Sequence, residues 1–296
     1  MSRPEYLKNL SENHKIIGIT GTHGKTSTTA LLSHIFHFNN VNVSYLYGGI
    51  TTFNGIGGHY GDPDQPLILE TDEAFNTFEK IKISDLLVLN VDSDHLDYFK
   101  NLDNYKDAFY KVMKNVTDNL VINNDDLNIK SMKELKNPVS YGKDIAADFK
   151  VQSPGTFIYE NNKYEIKSDI IGDHFKANML GAIILALLNG IEIKDSLNAI
   201  ESFAGVKRRI ELIGISKGVL IYDDYGHHPT EMEATITALK QQTESKLYVV
   251  FQPHRYTRTM EYFNSFKDSL KLADFAIVTD IYPAGESPIP GISSKN

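Results

Sequence analysis

The chain has 296 residues, 41% of them apolar and 23% charged, with 30 Lys plus Arg against 38 Asp plus Glu, a formal charge of −8 and no cysteine. That is ordinary globular composition at a length suited to two domains, and it excludes intrinsic disorder and low-complexity architecture. An acidic chain lacks the basic face that general nucleic-acid binding needs, and without Cys there are no disulfides, thiolate metal sites or Cys nucleophiles.

In chain order, short aliphatic runs alternate with amphipathic stretches. The runs at 16–20, 67–70, 86–91, 120–123, 219–222, 247–251 and 275–279 are nearly continuous in apolar residues, the pattern of strands covered on both faces. Helical patterns occupy 26–38, 104–114, 175–189, 194–203, 229–242 and 262–272. Such alternation predicts an α/β fold with a mostly parallel sheet. Two extended runs, 156–160 and 163–167, are joined by Asn161-Asn162 and predict a small antiparallel hairpin. A boundary near Ala204 divides the chain into 1–204 and 205–296, the second part carrying about three strands and ending in a Pro- and Gly-rich loop. The N-terminus has no apolar signal-peptide core. The longest apolar stretch, 179–190, falls short of the roughly 18 residues that a spanning helix needs. The expectation is a cytoplasmic protein with no membrane and no nucleic-acid partner.

The sharpest local pattern is Gly21-Thr22-His23-Gly24-Lys25-Thr26-Ser27, an apolar strand running through a glycine turn into a hydroxyl-rich helix. Glycines let backbone N–H groups turn inward around phosphate oxygens, and the helix N-terminus adds partial positive charge. Lys25 is placed to neutralise β/γ-phosphates, and the Thr26 hydroxyl to ligate Mg²⁺. Ile19 occupies the first glycine position of the strict Walker pattern.

Acidic residues follow two of the strands. Glu70-Thr-Asp72-Glu73 ends one, where a carboxylate suits Mg²⁺ on a nucleotide, although Thr71 and Asp72 also suit a helix cap. Asp92-Ser-Asp94-His95-Leu-Asp97 ends the next, where His95 is either a divalent-ion ligand or a loop-stabilising histidine.

Taken together these blocks resemble the Mur ligase family. The resemblance rests on the phosphate loop, Glu70-x-Asp-Glu, Asn90-x-Asp-x-Asp-His-Leu-Asp and Gly172-Asp-His174-x-x-x-Asn178. It continues in Gly205-Val-Lys-Arg-Arg, Asp223-Asp-Tyr-Gly-His-His-Pro-Thr-Glu and Phe251-Gln-Pro-His-Arg-Tyr-Thr-Arg-Thr, in the family's order and spacing from about residue 3 to the C-terminus. The double-His and Phe-Gln-Pro-His-Arg blocks are most similar to members that join L-alanine to UDP-N-acetylmuramate.

The resemblance implies a central P-loop ATPase domain with a mostly parallel sheet plus a small antiparallel element, followed by a partial Rossmann-like domain. It implies ATP and Mg²⁺ as cofactors, UDP-N-acetylmuramate and L-alanine as substrates, and an acyl-phosphate intermediate in peptidoglycan precursor synthesis. By resemblance, Lys25 contacts the transferring phosphate, Thr26 and Glu70 hold one Mg²⁺, and His95 holds a second metal. His174, Asn178 and Asp224 contact the nucleotide, and Arg209 reaches its phosphates. His227, His228, His254, Arg255 and Arg258 face the substrate carboxylate or the alanine, with His228 among the catalytic set.

The chain departs from the pattern at Phe175, where many members carry Asn, at Ile210, where an aromatic is usual, and at Glu73-Ala-Phe, in place of Glu-Ser-Asp. By the same comparison it is expected to lack the N-terminal UDP-binding domain and the end of the C-terminal domain, either as a fragment of a longer protein or as a natural short form with the N-terminal domain in a partner chain. Two alternatives therefore stand beside the ligase: a nucleotide-binding module without ligase activity, and a family ligase for another substrate, such as a murein peptide or folate.

Overall fold

A computed structural model describes residues 2–51, 55–94, 96–132 and 135–294, with no side chain described for residues 75, 96 and 97. These residues form two units, 1–170 with 175–207, and 171–174 with 208–296.

The first unit is built on ten strands. They are β1 Ile16–Thr20, β2 Ser44–Leu46, β3 Gly58–His59, β4 Leu67–Glu70, β5 Asp85–Val88, β6 Asn119–Asn123, β7 Val139–Gly142, β8 Phe149–Ser153, β9 Thr156–Tyr159 and β10 Asn162–Glu165. All join one sheet in the order β10-β9-β8-β7-β6-β5-β1-β4-β2-β3. From β2 to β8 every neighbouring pair is parallel, and the antiparallel pairs are β2–β3, β8–β9 and β9–β10. The expected α/β class is therefore observed, with more strands than the sequence suggested. The chain visits β4 on one side of β1 and then β5 on the other, so β1 is the point at which strand order reverses. In such sheets, ligands bind outside the carboxyl ends at that reversal.

The accompanying helices are α1 Arg3–Asn13, α2 Lys25–Phe38, α3 Leu96–Phe99, α4 Leu102–Lys114, α5 Leu127–Lys130, α6 Asp173–Leu188 and α7 Ile193–Ser202. They cover both faces, which explains why the central strands read as unbroken apolar runs. Side chains alternate along β5. Leu86 and Val88 join the cluster around Tyr105, Phe109 and Val112 of α4. Leu87 points the other way, against α6, where a Cβ on Gly181 would sit 2.9 Å from its methyl carbons. A glycine there lets a helix that is buried on nearly every side lie close to the sheet.

Three local expectations need correction. The hairpin turn is Glu160-Asn161 rather than Asn161-Asn162, with φ of 47° and 64°. A two-residue turn with both φ values positive matches the strand twist, and Asn161 supplies one favoured position while Glu160 accepts the other. The strand expected over 86–91 stops at Val88; the Leu89 amide still donates to the Thr20 carbonyl, and Asn90 serves the loop described below. The helix expected over 262–272 spans Phe263–Leu270, and an unexpected short helix, Tyr256–Glu261, precedes it, the two separated at Tyr262, whose φ of −106° and ψ of 21° are not helical.

The second unit contains β11 Glu211–Ser216, β12 Val219–Asp223, α8 Pro229–Gln241, β13 Tyr248–Phe251, α9 Tyr256–Glu261, α10 Phe263–Leu270 and β14 Phe275–Val278. β11 and β12 form an antiparallel hairpin, and β13 and β14 a parallel pair. Phe251 of β13 packs with Met232 of α8 and Phe266 of α10. The opposite face of this pair is bare: Tyr248 is 59% exposed, Val250 69%, Phe275 46% and Ile277 56%.

Candidate functional site

The register of the first sheet brings three strand ends together. Ile19 pairs with Glu70 and Thr20 with Val88, so Gly21, Glu70 and Leu89–Asn90 emerge side by side. Gly21 adopts a φ of 145° and Gly24 a φ of 85° as it caps α2. An L side chain at Gly24 would be strained, and its Cβ would lie 2.4 Å from the Asn178 amide nitrogen. Asn178 of α6 is thereby placed against the loop.

The loop is clamped from the β5 side. Asn90 Oδ1 accepts from the His23 amide at 2.8 Å, and its Nδ2 donates to the His23 carbonyl at 3.0 Å. The Thr22 amide donates to the Asn90 carbonyl, and the Asp92 amide donates to Thr22 Oγ1 at 2.8 Å. The His23 ring lies 3.2 Å from Asp92 Oδ2. Each contact satisfies a backbone or side-chain group that an irregular loop would otherwise leave open.

Lys25 is turned toward the protein. Its ammonium donates to the Gly21 carbonyl at 2.6 Å, the Thr22 carbonyl at 3.1 Å and Glu73 Oε1 at 2.9 Å. Burial alone would draw the Lys25 pKa down, but the charges of Glu73, Asp72 and Glu70 outweigh it and hold the ammonium protonated above its ordinary range.

Thr26 Oγ1 donates to Glu70 Oε1 at 2.9 Å, while Glu70 Oε2 accepts from the Gly48 amide at 2.7 Å. Two hard oxygens at that separation match one edge of an octahedral Mg²⁺ shell, in which Mg–O distances of about 2.0–2.1 Å set cis oxygens roughly 2.9 Å apart. The residues present therefore fit the metal. The other hydroxyls at the helix start have different work: Thr28 bonds back to Gly24 and Thr29 to Lys25, while Ser27 is buried in the first turn.

In the second unit, Asp224, His227 and His254 line one groove together with Arg208, Tyr225 and Tyr222. Asp224 organises the loop, accepting from the Ile210 amide at 2.9 Å and the Gly226 amide at 2.8 Å. The Arg209 guanidinium lies 5.3 Å from the Tyr225 ring centre. His228 is buried and caps α8, its Nδ1 accepting from the Thr230 amide. The His227 and His254 rings are 6.2 Å apart, and burial, followed by the charge of Arg258, lowers the His254 pKa. Arg255 donates to Glu286 at 2.7 Å. Burial would raise Glu286, but the Thr257 amide and hydroxyl together with Arg255 pull it down to about 2. His174, at the start of α6, groups with this second unit.

The family description "Mur ligase middle domain" matches residues 19–186, and "Mur ligase, glutamate ligase domain" matches residues 208–295. The chain belongs to the Mur ligase family. It is 37% identical over its whole length to a protein named UDP-N-acetylmuramate–L-alanine ligase from Dictyoglomus turgidum, covering 66% of that relative. It is 39% identical to a protein of the same name from Clostridium botulinum, covering 99% of this chain and 67% of the relative. Among solved structures, UDP-N-acetylmuramate-alanine ligase from Thermotoga maritima aligns at a TM-score of 0.79 and 27% identity, over 95% of this chain and 65% of that one. MurF ligase from Thermotoga maritima, solved in complex with ADP, shares the fold at a TM-score of 0.69 and 21% identity, over 94% of this chain and 70% of that one. The chain thus spans about two thirds of the length of the relatives it matches.

In this Mur ligase chain the first unit gathers Gly21, Thr22, His23, Gly24, Lys25, Thr26, Ser27, Glu70 and Asn178 around one turn. His95 lies outside the described residues. Sequence reading missed Asn90 and Asp92 as loop clamps, Gly48 as the amide that orients Glu70, and Tyr105, whose hydroxyl bridges Thr22 and Glu73. The consecutive Gly48-Gly49 was the available signal, since a Cβ on Gly49 would lie 2.7 Å from the Thr26 methyl. No helix among the described residues is long and apolar enough to cross a membrane.

Proposed function

We propose that the chain carries the nucleotide-using machinery of an ATP-dependent ligase that joins L-alanine to UDP-N-acetylmuramate in the cytoplasm, in peptidoglycan precursor synthesis. The observation carrying this reading is the Thr26–Glu70 pair beside a glycine turn at the strand-order reversal, in a chain 37–39% identical to proteins of that name. Mg²⁺, when bound, would neutralise triphosphate charge and orient its oxygens.

The chemistry asks for charge management more than for covalent help. A carboxylate is a poor acyl donor until one oxygen becomes a leaving group. In the proposed reaction a muramoyl carboxylate oxygen attacks the γ-phosphorus and ADP leaves. The alanine amine then attacks the acyl carbon, phosphate departs, and the amine proton is released. Two anions meet in the first step, so cations and oriented N–H groups supply the main stabilisation. Lys25 and the loop amides serve the phosphate, Thr26 and Glu70 the metal, and Asn178 the nucleotide. His95 serves a second metal, and Arg209, His174 and Asp224 the nucleotide from the second unit. His227, His228, His254, Arg255 and Arg258 serve the carboxylate or the amino acid. We assign the nucleotide role to the domain of residues 1–204 and the amino-acid role to 205–296.

Calorimetric titration of the folded chain with ATP and Mg²⁺ tests the reading, followed by phosphate release with UDP-N-acetylmuramate and L-alanine. Binding of Mg-ATP is expected. No binding would overturn the proposal, and binding with turnover on a murein peptide but not on UDP-N-acetylmuramate would reassign the substrate.

A further inference from the structure

Glu73 has no part in the proposed reaction, yet it is the most enclosed charge beside the loop, at 1% exposure. Both of its carboxylate oxygens lie 2.9 Å from the Lys25 ammonium, and Tyr105 donates to Oε1 at 3.3 Å. The other Lys25 contacts are the Gly21 and Thr22 carbonyls. An ammonium has three protons to donate. Here all three are committed within the protein, so a phosphate oxygen gains the lysine only by exchange with a bond already made.

Charge sharpens the point. Glu70, Asp72 and Glu73 all act on Lys25, leaving the lysine outnumbered by acids. A bare triphosphate entering beside them meets repulsion that one cation does not cancel. A Mg²⁺-complexed triphosphate brings its own compensating charge.

We infer that Glu73 is a positioning residue for Lys25, holding the ammonium drawn back in the ligand-free loop and biasing the site toward metal-complexed over metal-free nucleotide. The selectivity arm rests on the nucleotide reading above. The contact with Lys25 stands independently of it.

Two measurements on the full chain test this. In the first, ADP affinity is compared with and without Mg²⁺ for the wild type and Glu73→Gln. Removing one negative charge at the loop should tighten Mg-free ADP roughly ten-fold and Mg-bound ADP by less. Equal or weaker Mg-free affinity in a folded variant overturns the inference. In the second, amine labelling of Lys25 is followed by mass spectrometry. Labelling should be several-fold faster in Glu73→Gln, because the ammonium loses its stabilising partner. Equal rates overturn the inference whatever the nucleotide does, whereas absence of Mg-ADP binding by the wild type sinks the proposed function and leaves the labelling result to decide this one. Should the Gln variant not fold, Glu73→Asp keeps the charge but withdraws it by one methylene, and faster labelling is again expected, with wild-type labelling as the refuting result.

Discussion

Lys25 and Thr26 are adjacent in sequence but spend their polar groups differently. Lys25 turns back onto its own loop, while Thr26 reaches forward to Glu70. The difference gives a specific expectation. Thr26→Val keeps the shape of the helix start and removes only the hydroxyl. It should weaken Mg-dependent nucleotide binding by about ten-fold or more and leave Mg-free binding within a few-fold of wild type, as titrations with and without EDTA would show. Loss of both in equal measure would mean that the hydroxyl serves the loop rather than a metal. The spacing of glycines, Lys25 and Thr26 was legible from the sequence because a phosphate loop needs those residue types at fixed intervals. Asn90 was not legible in the same way. An Asn that ends a strand has many uses, and only the fold brings its amide against the His23 backbone, 67 residues away.

At the level of elements, α2 and α7 meet around His34, whose Nε2 lies 3.0 Å from the Ala199 carbonyl and 3.0 Å from Ser202 Oγ. A carbonyl only accepts, so Nε2 carries the proton and donates. Burial lowers the pKa of this imidazole below its ordinary 6.5. The unfolded chain therefore binds a proton that the folded one refuses. The stability from this site is fully present above pH 6.5 and declines as pH falls through that value toward the lowered folded pKa. Thermal unfolding from pH 8 to 5 should show a falling midpoint in the wild type and a flatter profile in His34→Gln; parallel profiles would remove His34 as the source. Elements that are nearly continuous apolar runs, such as β1, β4, β6 and α6, were legible in the sequence because their side chains face packed neighbours on more than one side. The two-residue β3 and the half-exposed β8 were not, because pairing rather than burial defines them. The helix Tyr256–Glu261, with Thr259 as its buried residue, likewise is too short to show a periodic pattern.

Across the whole molecule, the two units differ in how well their strands are covered. The central strands of the first sheet, β1 and β5, are buried on both faces, whereas β13 and β14 present Tyr248, Val250, Phe275 and Ile277 openly. Apolar residues in contiguous groups on a surface favour association. We expect the isolated chain to bind a hydrophobic dye and to self-associate at rising concentration, and we expect Val250→Lys combined with Ile277→Lys to reduce both, by fluorescence and sedimentation velocity. A dye-silent chain that sediments as a monomer at all concentrations would contradict this. The sequence showed these strands to be apolar on both faces, but composition alone does not reveal whether a covering layer is present.

β1 has three strands to one side and six to the other. The turn that follows it hangs from a strand buried along its whole length, so the arrangement of its amides is held by the sheet itself. An anion bound there, as proposed, would meet a mould already cast, and the free energy of the encounter would go into holding the guest instead of shaping the host.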